Sequence, residues 1–190
     1  QIALRFIIEV GMISPHIKKL GYFDAAHTDP AATFNLEELK IQAPKFGLTL
    51  VPYPLINPVG PAATAEIKNI LKNIKPGEID AYFHLPGPIM GFPNQPTIIE
   101  GLNQLKIPGV WLELPSVKIG GLFAYSQDLA DLGKQAAYIA AKVLRGTRPT
   151  DIPVELPRSY FLELNLKTAE ALGIKIPDSI LLRANKVYRE

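Results

Sequence analysis

From Lys19 onward the sequence alternates short apolar runs with longer segments of helical period, and this alternation restricts the fold more than any other feature. Short, mostly apolar runs suit strands buried on both faces, and the amphipathic segments between them suit helices that cover those faces. The pattern predicts an α/β fold, a three-layer αβα arrangement with a mainly parallel open sheet. Strands are expected from Lys19 to Phe23, Leu48 to Tyr53, Ala81 to Leu85, Val110 to Leu114, Leu122 to Ser126 and Tyr160 to Leu164. Helices are expected from Thr33 to Phe46, with Pro44 distorting the last turn, and from Ala62 to Ile74, entered at Pro61 and stopped at Pro76-Gly77. Two more are expected from Thr97 to Leu105 and from Leu129 to Leu144, the latter closed by Gly146. The first fifteen residues read as a helix ending near Pro15.

Composition narrows the function classes. At 190 residues, 47% hydrophobic and 20% charged, the chain can bury a core without disulfides or metal. It has no Cys, which removes thiol catalysis and Cys-ligated zinc. Twenty Lys and Arg against eighteen Asp and Glu leave a charge of +2, far from a nucleic-acid footprint. No apolar run reaches the roughly 18 residues of a spanning helix. The opening QIALRFIIEVGMISP has neither a basic n-region nor a small-residue cleavage site, and it does not start with Met. A processed protein or a piece of a longer one is expected.

The motif search is mostly negative. There is no G-x-G-x-x-G after a strand, no G-x-x-x-x-G-K-[ST], no H-E-x-x-H and no G-x-S-x-G, so the chain lacks the usual cradles, zinc ligands and nucleophile elbow. No cofactor, metal site or catalytic residue is assigned. In an open α/β sheet the ligand crevice lies beyond the carboxyl ends of the strands. That rule selects the loops Asp24 to Pro30, Pro54 to Gly60, His84 to Pro96, Pro115 to Lys118 and Gln127 to Leu129.

Within those loops, His27 and His84 follow successive strands and are candidates for ligand contact or for an acid/base pair, whereas His16 reads as a solvated loop residue. Asp24 and Asp128 stand at strand ends, where acids can hold a ligand ammonium. Asp128 equally suits the cap of the helix from Leu129, and the two roles are compatible. Glu113 is expected inside a short strand, either at the crevice edge or paired with a cation. Tyr53 and Tyr125 lie nearest the carboxyl ends among the strand aromatics and could stack on a ligand, although core packing is the commoner role.

The last third carries a longer ordered pattern. It runs Leu122-Phe123-Ala124-Tyr125-Ser126-Gln127-Asp128, Leu132-Gly133-Lys134-Gln135-Ala136-Ala137, Lys142-Val143-Leu144-Arg145-Gly146 and Asp151-Ile152-Pro153-Val154-Glu155-Leu156-Pro157. It closes with Asn165-Leu166-Lys167-Thr168-Ala169, Leu172-Gly173-Ile174, Ile176-Pro177 and Ser179-Ile180-Leu181-Leu182-Arg183-Ala184. Upstream, Pro15-His16-Ile17-Lys18-Lys19-Leu20-Gly21 and Ile107-Pro108-Gly109-Val110 also fit. This string resembles the ABC transporter substrate-binding proteins of the tryptophan/tyrosine-type group.

The resemblance implies a two-lobed type I periplasmic-binding fold that closes on a small organic solute without catalysis and delivers it to an ABC permease in the membrane. It implies that residues 1–190 are the second lobe, and that residues 129–150 pack on a first lobe missing from this chain or on a homodimer partner. It also implies a periplasmic or extracytoplasmic location, with a lipoprotein anchor as one form. By the family's pattern Ser126, Gln127 and Asp128 line the cleft, with Tyr125 beside them, and Asp24, His84, Glu113 and Tyr53 follow by position. His84-Leu85-Pro86-Gly87 departs from the small polar residues that the family tends to place there. The acids and aromatics would suit an amino acid or a similar amine with an apolar body as solute, with purely apolar or anionic solutes as the alternatives. A ligand-sensing regulatory domain on the same fold, or a small α/β enzyme using His27 and His84, are the alternatives.

Overall fold

The structure, a computed structural model, describes residues 16–25, 29–57, 60–85 and 91–189, without the side chains of residues 91 and 92. The expected helix over the first fifteen residues, and His27, lie outside this set. A seven-stranded sheet runs through the molecule in the order β2-β1-β3-β4-β5-β6-β7. Its strands are β1 (Lys19–Asp24), β2 (Thr49–Pro54), β3 (Ala81–Phe83), β4 (Gly109–Trp111), β5 (Phe123–Ser126), β6 (Phe161–Asn165) and β7 (Lys186–Tyr188). All neighbours are parallel except β5 and β6, which run antiparallel with Ala124 opposite Glu163.

The helices are α1 (Pro30–Gln42), α2 (Gly60–Asn73), α3 (Gly91–Gln104), α4 (Pro115–Lys118), α5 (Leu129–Leu144), α6 (Leu166–Leu172) and α7 (Asp178–Leu181). Because side chains alternate along a strand, each strand feeds two cores. On one face Leu36 and Leu39 of α1, Ala169 of α6 and Ile180 of α7 pack with Leu20, Phe83, Val110, Phe123 and Leu164. On the other, Ile67 and Leu71 of α2 and Ile98, Ile99 and Leu102 of α3 pack with Phe23, Tyr82, Trp111 and Ala124. The result is the expected three-layer αβα fold.

Local chemistry accounts for the ends of these elements. Asp29 caps α1 through Oδ1, which accepts from the amides of Ala31 and Ala32 at 2.7 and 3.3 Å. Pro44 denies the helix a donor, and the chain tightens into a 3-10 turn over Ala43–Phe46, as its position predicts. Gly47 then closes the turn at φ 70°, a left-handed conformation that suits Gly.

The structure also corrects several boundaries. α3 begins at Gly91 rather than Thr97, because a proline in the first turn loses no intrahelical bond, although Pro96 lies deeper inside the helix. β4 ends at Trp111, so Glu113 lies beyond the strand and not within it. β7, α4, α6 and α7 were not anticipated; each is too short to show a period.

One helix differs from the rest. α5 has the expected bounds, and its amphipathic stripe includes Leu132 and Ile139, yet no residue of it is buried. Leu129, Tyr138 and Leu144 are 71%, 52% and 87% exposed. A helix with no fully buried residue gains little from packing on its own domain, and α5 leans on capping and local pairs, here the Asp128 cap and the Lys134–Asp131 ion pair.

Candidate functional site

A cavity of about 700 Å³ opens beyond the carboxyl ends of β4 and β5. The loop after β4 contributes Glu113 and α4 contributes Lys118, while Ser126, Gln127 and Asp128 come from the end of β5 and the entry to α5. Asn35 of α1, Glu163 of β6 and Tyr188 of β7 complete its polar lining. Glu163 reaches it because β6 is antiparallel to β5, which places Glu163 beside Ala124 on the same face of the sheet. Its carboxylate accepts from the Tyr188 hydroxyl at 3.0 Å.

Each polar group has a distinct electrostatic position. Asp128 is the N-cap of α5, with Oδ1 accepting from the amides of Ala130 and Asp131 at 2.7 and 3.1 Å. Capping and cavity lining therefore coincide in one residue. Burial pushes the Glu113 carboxyl up to about pH 7, with its own amide and that of Leu112 pulling weakly the other way. Glu113 Oε2 and Gln127 Oε1 are sealed from solvent and have no hydrogen-bond partner among the described residues. An acceptor left in that state costs about 1–3 kcal/mol unless something supplies a donor.

Four sequence-based candidates fall elsewhere. His84 is fully buried rather than facing the crevice: its ring lies 4.8 Å from that of Trp111, and its Nδ1 is 3.1 Å from the Tyr82 hydroxyl. Burial drives its protonation down to about pH 3, so it is a neutral core imidazole. This removes the proposed acid/base use of His84, since a sealed ring cannot exchange a proton with a solute in the cavity.

Tyr125 turns into the first core and stacks on Tyr160 at 5.7 Å, the outcome of strand alternation at that position. Tyr53 leans back along the sheet. Its ring comes within 3.1 Å of where a Gly21 Cβ would stand, and its hydroxyl donates to Glu78 at 2.9 Å. Asp24 ends β1, where its carbonyl accepts from the Leu55 amide at 3.0 Å, and it is not among the described residues that line the cavity.

The residues brought together are thus Glu113, Ser126, Gln127 and Asp128. Lys118 sits in a loop that the crevice rule had selected, although its type alone carried no signal. Asn35, Glu163 and Tyr188 had none, because helix rotation, strand direction and β7 were not legible. Among the described residues no group of three or more His, Asp or Glu side chains could hold a metal ion, and no helix is long and apolar enough to cross a membrane.

Comparisons with known proteins bear on the fold and the family. The chain is similar to an ABC domain from Streptococcus pneumonia, solved in complex with L-Trp, at 25% identity and TM-score 0.79, over 98% of this chain and 62% of that one. A conserved domain protein from Vibrio cholerae matches at 24% identity and TM-score 0.81, over 97% of this chain and 60% of that one. A ligand-free, open substrate-binding protein with adhesive properties from Clostridium difficile matches at 20% identity and TM-score 0.74, over 97% and 59% respectively. The chain therefore spans about three-fifths of the length of these solved structures. A search of the curated proteins found no match. The family model described as ABC transporter substrate binding protein matches residues 3–188, and the chain belongs to that family.

Proposed function

We propose that this chain is the second lobe of the solute-binding component of an ABC importer, which closes around a small organic solute and carries out no chemistry. The observation that carries this reading is the cavity at the carboxyl edge of the sheet, where Glu113 and Gln127 each hold a sealed acceptor without a partner. Two such acceptors on residues lining one concave edge are hydrogen-bonding capacity left for a ligand, whereas the other sealed unpartnered atoms, on His84, Gln95 and Trp111, belong to residues outside the cavity lining. Glu113, Ser126, Gln127 and Asp128 are the binding residues on this reading.

The solute is an amino acid or amine. Acceptors and acids favour a donor-rich head group, and the Streptococcus relative was solved with an amino acid bound. The chain spans 62% of that relative, so a further lobe from the same polypeptide would complete the cleft. Residues 129–150 pack on that lobe, which covers Leu132, Ile139 and Val143; a second copy is the other way to cover them. The remaining partner is a membrane permease, and the setting is extracytoplasmic, with lipid anchoring as one arrangement.

Thermal unfolding of the natural polypeptide against amino acids and amines tests the proposal. A ligand at 100 times its dissociation constant adds about 2.7 kcal/mol of stability. A rise in melting temperature with one or a few related amines is the expected result. A flat response across the panel overturns the amine assignment.

A further inference from the structure

Glu113 lines a cavity that holds little to balance its charge. The ion pairs Lys134–Asp131, Arg148–Asp151 and Arg158–Glu155 do not include Glu113. From α4, Lys118 lines the same cavity without forming an ion pair. From α5, Asp128 adds negative charge; from β6, Glu163 adds more, partly screened by the Tyr188 hydroxyl, with Lys186 held 4.6 Å over the Tyr188 ring. From β3, the buried Tyr82 phenol feels the Glu113 charge, and behind it stands the neutral His84. Asn35 and Ser126 carry no charge.

We propose that Glu113 and Gln127 seat the protonated amine of the solute, and that seating it expels one proton from Glu113 to solvent. This rests on the solute-binding reading above and specifies its chemistry. An ammonium carries three N–H donors, and a turn of the Glu113 carboxyl or the Gln127 amide about its last torsion presents an acceptor to it. A carboxylate head group offers no donor and meets Asp128 and Glu163 as like charges, with Lys118 the cation among the described lining residues.

In the empty cavity, burial keeps Glu113 protonated up to about pH 7. An incoming cation replaces the lost hydration and favours the carboxylate. The balance is Glu113-COOH plus R-NH₃⁺ giving the Glu113-COO⁻/R-NH₃⁺ pair and one released proton. Affinity is then greatest above neutrality and falls as the pH drops through 7. Between pH 8 and pH 6 the ionised fraction falls from about 0.9 to about 0.1, a loss of about tenfold in affinity.

Calorimetry on the natural polypeptide tests this with tryptamine, L-tryptophan and tryptophol, whose hydroxyl stands in place of the amine. Titrations at pH 6 in buffers of different ionisation heat count the released protons. Expected are about 0.9 proton per tryptamine at pH 6, about tenfold weaker tryptamine binding at pH 6 than at pH 8, and tryptophol binding that ignores pH. In Glu113→Gln, tryptamine binding weakens and loses its pH dependence, with thermal unfolding confirming a folded chain. Carbon NMR of the Glu113 carboxyl without solute gives an independent reading: a midpoint near 7 that falls when tryptamine is added.

Tryptamine binding with equal affinity at pH 6 and pH 8 overturns the proton linkage and leaves the solute-binding reading intact. Tryptophol binding without tryptamine binding overturns the ammonium seat. If neither amine binds at any pH, the linkage and the amine assignment fall together.

Discussion

The two ends of the sheet treat their polar groups in opposite ways. At the amino end, Asp80 Oδ2 accepts from the amides of Lys18 and Lys19, both at 2.8 Å. Glu78 accepts from the Tyr53 hydroxyl at 2.9 Å and from the Lys75 amide at 3.1 Å, while Lys19 Nζ donates to the Gly77 carbonyl at 3.0 Å. A hollow of about 400 Å³ exists there too, but Asp80 and Lys106, which line it, already have partners. At the carboxyl end the larger cavity holds Glu113 and Gln127 with sealed, unpartnered oxygens. Of the sealed unpartnered side-chain atoms among the described residues, none belongs to a residue lining the smaller hollow.

Two carboxylates of one residue type record the contrast. The Lys75 amide and the Tyr53 hydroxyl hold Glu78 below the ordinary carboxylate range, whereas burial lifts Glu113 to about 7. Concavity alone does not distinguish a site from a surface dent. Unmet hydrogen-bonding capacity within it does.

The largest expected effect breaks the contrast at the carboxyl end. The folded-state midpoint of Glu113 lies above the ordinary Glu value, so the native state holds this proton more tightly than the unfolded chain. The resulting penalty is absent below about pH 4.5 and complete above about pH 7. Glu113→Gln is therefore expected to stabilise the solute-free chain by up to about 3 kcal/mol at pH 8, with the gain vanishing near pH 4. Urea unfolding at the two pH values measures it. A variant less stable than the parent at pH 8 would mean that the empty site already compensates the charge.

At the amino end the sign reverses. Asp80→Ala removes two hydrogen bonds to a charged acceptor and is expected to cost about 2 kcal/mol in the same measurement, with no change in solute affinity. A loss of affinity there would show that the two ends are coupled.

Asp128 is the smallest case and belongs to both categories. Asp128→Ala is expected to cost about 1 kcal/mol through loss of the α5 cap and, separately, to weaken amine binding, whereas Asp128→Ser retains the cap and isolates the binding contribution. Unfolding and calorimetry on the two variants separate these contributions.

Much of the fold was legible. The alternation from Lys19 located β1 to β6 and the long helices, because a buried strand and an amphipathic helix each write their period into consecutive residues. α5 matched its expected bounds, helped by the Asp128 cap and by Gly146 just beyond it at φ 97°. The elements that escaped, α4, α6, α7 and β7, have three to seven residues and show less than two turns or a single alternation.

The site was legible where chain position decides it. Gln127 and Asp128 follow directly from β5, and the loop that the crevice rule selected lines the cavity. Tyr53, Tyr125 and His84 are not among the residues lining it, since a residue near a strand end can still point into either core or back along the sheet. The rule could not supply Glu163 or Tyr188, whose approach depends on β6 running antiparallel and on β7 joining the sheet.

By itself, then, the sequence determined the α/β class, the order of the main elements and the edge of the sheet at which to look. These are properties of near neighbours in the chain, set by hydrophobic period, proline, glycine and caps. Tertiary structure alone decided which polar groups are satisfied. Asp80 meets the amide of Lys18 across 62 residues, and Tyr53 meets Glu78 across 25, while Glu113 Oε2 meets no partner among the described residues. Hydrogen bonding acts over about 3 Å of space regardless of separation along the chain, so only the folded backbone settles which groups are paired and which stay open to a ligand.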